Sequence, residues 1–194
     1  MRCTVGVLLG VLALTSGLAA CSSGAEPTAA AGTPERPVFV ELATPRDSGT
    51  QPVAISYNAE LVPVGAKVAM ASEKDGSGTK VTMTVEGLLP NHEYGAHVHT
   101  KPCGAKPADA GPHYQNDKDP VSPSVDPAFA NKDNEIWLDF TTDAKGDAAA
   151  SASVKWSFRG GEANAAVIHA AHTMTEAGKA GTAGDRLACL TTTF

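Results

Sequence analysis

The chemistry this chain can offer is concentrated in its six histidines, and their spacing singles out four of them. His97 and His99 stand two apart in a run, residues 93–100, that has the character of a β-strand. Residues two apart on a strand project from one face about 7 Å apart, so this pair can grip a single metal ion. His113 lies in a long irregular stretch, and His169 closes a later apolar run. Four imidazoles without a thiolate suit copper(II) or zinc, and an imidazole-rich planar field suits copper. The other two read as bystanders. His92 follows Pro90-Asn91 in a turn and is expected to face solvent; His172 is expected to be a polar residue on an exposed loop.

The elements that must position these rings are strands. Short β-type runs occupy 37–44, 53–58, 66–73, 79–88, 93–100, 135–142, 148–158, 165–170 and 186–194. Asp75-Gly76-Ser77-Gly78 between the third and fourth runs is a hairpin signal. Val81, Met83 and Val85 alternate with Thr82 and Thr84, the pattern of a half-buried strand, and Ile136, Leu138 and Phe140 should share a face. Trp137 and Trp156 are expected to pack across adjacent strands. About eight short strands at this spacing predict an antiparallel sandwich or flattened barrel. Two stretches break the rhythm, Lys101–Asn134 and Ala171–Asp185. Loops of that length inside a compact domain are commonly functional, and histidines border both.

The N-terminal segment predicts an exported chain. At 194 residues with 42% hydrophobic content the protein can bury a core, and a net charge of −6 excludes a nucleic-acid binder that works by neutralising phosphates. Residues 1–20 have the layout of a secretory signal, with Arg2 ahead of an apolar run too short to span a membrane comfortably. Leu18-Ala19-Ala20-Cys21 resembles a bacterial lipobox, which predicts cleavage before Cys21 and its lipidation. Residues 21–37 then form a lipidated flexible tether, and the folded domain covers 38–194. Of four cysteines, Cys3 leaves with the signal and Cys21 carries lipid; in an oxidising location the remaining Cys103 and Cys189 most simply form one disulfide. The expected location is the outer face of the cell membrane, with lipid at Cys21 as the membrane contact.

Four segments, taken in order, resemble the signatures of copper/zinc superoxide dismutases: Gly95-Ala96-His97-Val98-His99, Gly111-Pro112-His113, Val167-Ile168-His169 and Gly184-Asp185-Arg186-Leu187-Ala188-Cys189. The resemblance spans most of residues 66–190. It implies an all-β, eight-stranded antiparallel Greek-key sandwich or flattened barrel with two long functional loops. It also implies copper held by His97, His99, His113 and His169, a disulfide between Cys103 and Cys189, superoxide as substrate, and Arg186 as the group that attracts and orients that anion. His113 matches the family's metal-bridging position and is the candidate to release the metal and take up a proton. Dismutation needs a metal that cycles between two states, which copper does and zinc does not.

The chain departs from that pattern where zinc would bind. Residues 114–137 contain no histidine; Asp117, Asp119, Asp126, Asp133 and Glu135 remain, a poor structural zinc set. The stretch between His169 and Arg186 is also short. Both features resemble the copper-only branch of the superfamily, with zinc absent. Something else must then orient the second nitrogen of His113, and Glu135 or Asp133 is the expected carboxylate. The leading function is a membrane-anchored, copper-dependent superoxide dismutase. The rival is a copper storage or delivery lipoprotein, and a third reading is an adhesive sandwich with a vestigial site; Arg186 weighs against both. Oligomeric state is left open.

Overall fold

The computed structural model describes residues 37–194. The signal segment at 1–20, the lipid-bearing Cys21 and, apart from Pro37, the tether at 21–37 lie outside the described residues. Among the described residues, no helix is long and apolar enough to cross a membrane.

Among the described residues, nine antiparallel-paired strands form two sheets. They are β1 (Val40–Glu41), β2 (Ala54–Ser56), β3 (Lys67–Asp75), β4 (Gly78–Glu86), β5 (Glu93–His99), β6 (Phe140–Thr141), β7 (Ala148–Val154), β8 (Ala165–His169) and β9 (Arg186–Thr191). One sheet has the order β1-β3-β4-β7 and the other β2-β9-β8-β5-β6. The expected eight-stranded sandwich or flattened barrel is corrected to nine strands in two open sheets: each of the nine β-type runs supplies one strand, and those at β1 and β6 shorten to two residues. The expected hairpin forms with Asp75 opposite Gly78, and the Asp75 carboxylate accepts the backbone N–H groups of Ser77 and Gly78 across the turn.

Period-2 alternation decides what each strand buries. On β4, Val81, Met83 and Val85 point into the core between the sheets, and Thr82 and Thr84 do not. On β5 the core face is Tyr94, Ala96 and Val98, so His97 and His99 fall on the opposite, outer face of their sheet. The same parity on β8 sends Ala166 and Ile168 into the core and His169 outward. That outer face is nonetheless buried. A second apolar cluster of Ile55, Cys103, Ala110, Ala165, Val167 and Cys189 covers part of it, stapled by the Cys103–Cys189 disulfide over a separation of 86 residues.

The run 135–142 differs from its expected form. Ile136, Leu138 and Phe140 are buried together, but the segment is a ladder to β5 broken into an isolated bridge at Trp137 and the short β6. It also does not form a hairpin with β7; the chain crosses from one sheet to the other through the Asp143–Gly146 turn. The two tryptophans are therefore apart. Trp137 meets the His97 ring edge-on, and Trp156 packs against Tyr114 and Phe158. His92 also departs from expectation: it is half-buried, edge-on to Tyr94, with a buried Nε2 that has no hydrogen-bond partner. His172 is exposed, and its Nε2 donates to the Phe140 carbonyl.

Candidate metal centre

Two strands and one loop bring His97, His99, His113 and His169 together, each offering one nitrogen within 4.8 Å of the others. Strand parity supplies His97 and His99, pairing of β5 with β8 supplies His169, and an isolated bridge between His99 and His113 delivers the loop residue. Among the described residues no other group of three or more histidine, cysteine or carboxylate side chains is gathered in this way.

Hydrogen bonds assign which nitrogen of each ring is bare. His99 Nδ1 donates to the Gly111 carbonyl at 2.9 Å, and His169 Nδ1 donates to that of Gly184 at 3.4 Å. His113 Nδ1 donates to the Glu135 carboxylate at 2.9 Å. All three therefore present Nε2 as a lone pair. His97 is reversed: its Nε2 is engaged by Thr173 at 2.8 Å, and its buried Nδ1 has no hydrogen-bond partner. The Nε2 atoms of His99 and His169 face each other 3.4 Å apart with neither carrying a proton. Buried lone pairs that converge without donors are costly alone and fit a cation at their centre. The donor set thus fits a metal ion, and all-imidazole donors suit copper or zinc.

Electrostatics keep His97, His99 and His169 neutral. Burial, then the neighbouring His113, pushes the pKa values of His97 and His99 well below the usual histidine value. The same causes bring His169 down to about 3. A neutral ring is the ligating form.

Glu135 is buried to 1% exposure beside the cluster, and both of its carboxylate oxygens accept hydrogen bonds. Oε2 accepts from His113 Nδ1 and, at 2.7 Å, from Trp137 Nε1, while Oε1 accepts from Gln115 Nε2 at 2.8 Å. Of the two carboxylates expected near His113, this is the one in contact. Asp133 is exposed, and its backbone carbonyl accepts from Trp156 Nε1. Gly181 makes the close fit possible from the other loop. Its φ is +78°, and a Cβ there would lie 3.1 Å from Ala130 Cβ, 3.7 Å from Glu135 Oε2 and 3.8 Å from His113 Nδ1.

A cavity of about 430 Å³ opens beside the cluster, with His113, His169, Thr182 and Arg186 in its wall. Arg186 is opposite His169 where β8 and β9 pair. Its Nη1 donates to the Pro107 carbonyl at 3.1 Å, on a single 3-10 turn, Pro107–Ala110. Burial lowers the Arg186 pKa, and nearby Tyr57 opposes that shift; the Tyr57 hydroxyl is itself pushed up to about 12, first by burial and then by Asp109. The guanidinium remains a fixed cation at the cavity wall, with donors left for a small anion.

Several residues around the cluster were not legible from spacing. Thr173 and Asp139 touch His97 directly and through one bond, and Gln115 and Trp137 hold Glu135. No motif marks them, because each acts through a loop conformation.

A family model described as copper/zinc superoxide dismutase matches residues 64–191. No curated protein matches the chain. Among solved structures, the chain is similar to a Cu/Zn superoxide dismutase from Brucella abortus, at 18% identity over 71% of this chain and 97% of that one, with a TM-score of 0.47. It is similar to a SOD-like protein from Bacillus subtilis in two mutant forms. The double mutant is 18% identical over 65% of this chain and 87% of that one, TM-score 0.47. The single mutant is 17% identical over 64% and 86%, TM-score 0.48.

Proposed function

This chain belongs to the copper/zinc superoxide dismutase family, and from that membership we propose that it is a copper-only superoxide dismutase, exported and anchored as a lipoprotein through Cys21. The observation that carries the reading is the convergence of four bare imidazole nitrogens within 4.8 Å of one another beside a cationic cavity. Dismutation turns two superoxide anions and two protons into oxygen and hydrogen peroxide. The site must therefore draw in an anion and deliver protons. Copper, when bound, supplies the one-electron cycle between two oxidation states.

The chain's own residues do the rest. Arg186 offers a permanent charge and directional donors to the incoming anion, and its anchor on the Pro107 carbonyl holds that charge at the cavity wall. His97, His99 and His169 are the buried, fixed ligands. His113 is the half-buried ring of the four and lines the cavity with His169; with Nδ1–H held on Glu135 it can take a proton only at Nε2, the atom facing the cluster. The copper-only form of the reading is supported by the same bond: a second metal on His113 would need Nδ1, which already donates to Glu135. The disulfide supports export, since such bridges persist in oxidising compartments.

The test is metal content and activity of the purified full chain after copper loading. One copper, no zinc and dismutase activity that falls in Arg186→Ala support the reading. Tight copper without turnover would replace it with the storage or delivery role.

A further inference from the structure

His97 differs from the other three rings: it is turned to present Nδ1, and the residues that turn it belong to no motif described above. Thr173 N–H donates to Asp139 Oδ2 at 3.0 Å, and the Thr173 hydroxyl donates to Asp139 Oδ1 at 2.6 Å. An ionised carboxylate only accepts, so the hydroxyl proton is committed to Asp139. The hydroxyl oxygen can then meet His97 Nε2, 2.8 Å away, only as an acceptor. His97 must carry its proton on Nε2, which leaves Nδ1 bare toward the other imidazoles. We propose that Asp139 and Thr173 form a positioning relay that fixes the tautomer of His97, and that this relay, running from an exposed carboxylate to a fully buried ring, sets the metal affinity of the site.

The relay ties the loop 171–185 to β5. Gly95 lets that loop close in: a Cβ there would stand 2.6 Å from the Ala171 carbonyl oxygen, 2.8 Å from Ala183 Cβ and 3.2 Å from Asp139 Oδ1. The absent side chain two residues before His97 is what allows Thr173 to reach over the ring. Asp139 is exposed, so the polarity of the relay can be changed without opening the core.

The geometry makes Asp139→Asn a polarity switch. The Thr173 N–H claims the amide oxygen, which turns the amide NH₂ toward the Thr173 hydroxyl. That oxygen must now accept from the amide and point its own proton at His97 Nε2. The ring responds by moving its proton to Nδ1, the atom needed for metal. Thr173→Val removes the hydroxyl and disconnects Asp139 from the ring.

This inference rests on the reading that the four histidines bind a metal, but its first readout does not. In metal-free full-length protein with ¹⁵N-labelled histidine, long-range ¹H–¹⁵N correlation should show His97 protonated on Nε2 in the wild type and on Nδ1 in Asp139→Asn. Copper(II) affinity should fall about 10- to 100-fold in Asp139→Asn, the usual range for partners of metal-ligating histidines. In a Thr173→Val background the same Asp139→Asn change should cost less than twofold. A wild-type ring protonated on Nδ1 overturns the proposal, and so does an Asp139→Asn protein that keeps Nε2–H. An undiminished Asp139→Asn effect without the Thr173 hydroxyl also overturns it. If a variant fails to fold, the wild-type spectrum decides. A correct tautomer pattern in a chain that binds no copper would leave the relay standing and remove the metal reading.

Discussion

Replacing Cys103 and Cys189 together by alanine tests how the loop region is held. The bridge spans a separation of 86 residues, and the chain-entropy relation for a closed loop of that size gives about 4.6 kcal/mol at 25 °C. Small domains have about 5–15 kcal/mol in total, so the variant should fold with little to spare. At roughly 2–4 °C per kcal/mol for a domain of this size, the midpoint of thermal unfolding should drop by about 10–18 °C. Urea unfolding of the metal-free protein is the assay, followed with and without the bridge. The slope of stability against urea should also rise, because an unfolded chain freed of the cross-link exposes more surface. Copper affinity should fall beyond what global stability explains, since the stapled segment carries the Gly111 carbonyl that orients His99 and the Pro107 carbonyl that holds Arg186. A loss below about 1 kcal/mol with an unchanged slope would refute the reasoning, because the bridge would then not be constraining the unfolded chain.

Three further outcomes follow from the site. Glu135→Gln puts an NH₂ group where three donors converge; a charge-assisted buried bond is lost, and metal-free stability should fall by about 1.5–3 kcal/mol in urea unfolding. Its copper affinity, measured by competition with a chelator, should fall about 10- to 100-fold, whereas Asp133→Asn should leave both unchanged. Arg186→Ala should lower kcat/KM about tenfold or more and flatten its dependence on ionic strength in stopped-flow assays. For pH, the metal-free protein should lose stability as acid is added between about pH 6.5 and pH 3. In that window an unfolded His169 binds a proton and a folded one, with its pKa near 3, does not, so acid favours unfolding. His97 and His99 shift in the same direction, and each ring contributes up to about 1.4 kcal/mol per pH unit in urea titrations repeated across that range.

What could be read from the sequence was whatever depends on local parity. The two-residue spacing of His97 and His99, the hairpin at Asp75–Gly78 and the alternation from Val81 to Val85 need only the pleat of a strand. Arg186 and Cys189 were placed by resemblance, and pairing of β8 with β9 sets Arg186 against His169. What could not be read depends on backbone paths outside strands. The run 135–142 reads as a full strand, but it meets β5 only at the Trp137 bridge and at β6, while Glu135 turns to His113, so the ladder breaks. Thr173 is one threonine among many until the loop folds it over His97. His92 looked exposed because a Pro-Asn turn precedes it, yet contact with Tyr94 half-buries it.

The position of Gly181 carries one more consequence. Its left-handed backbone lies against the His113–Glu135 pair with no side chain between them, and it comes from a different loop than either partner. The pair is therefore shielded by a neighbour whose height is set by chain length. Dry surroundings strengthen a charge-assisted bond, and a wet carboxylate grips its partner weakly. Inserting a residue between His169 and Gly181 would lift that backbone, admit solvent and raise the local dielectric around a proton donor it never touches. The shortness of one loop is in this sense part of the acid–base character of the other.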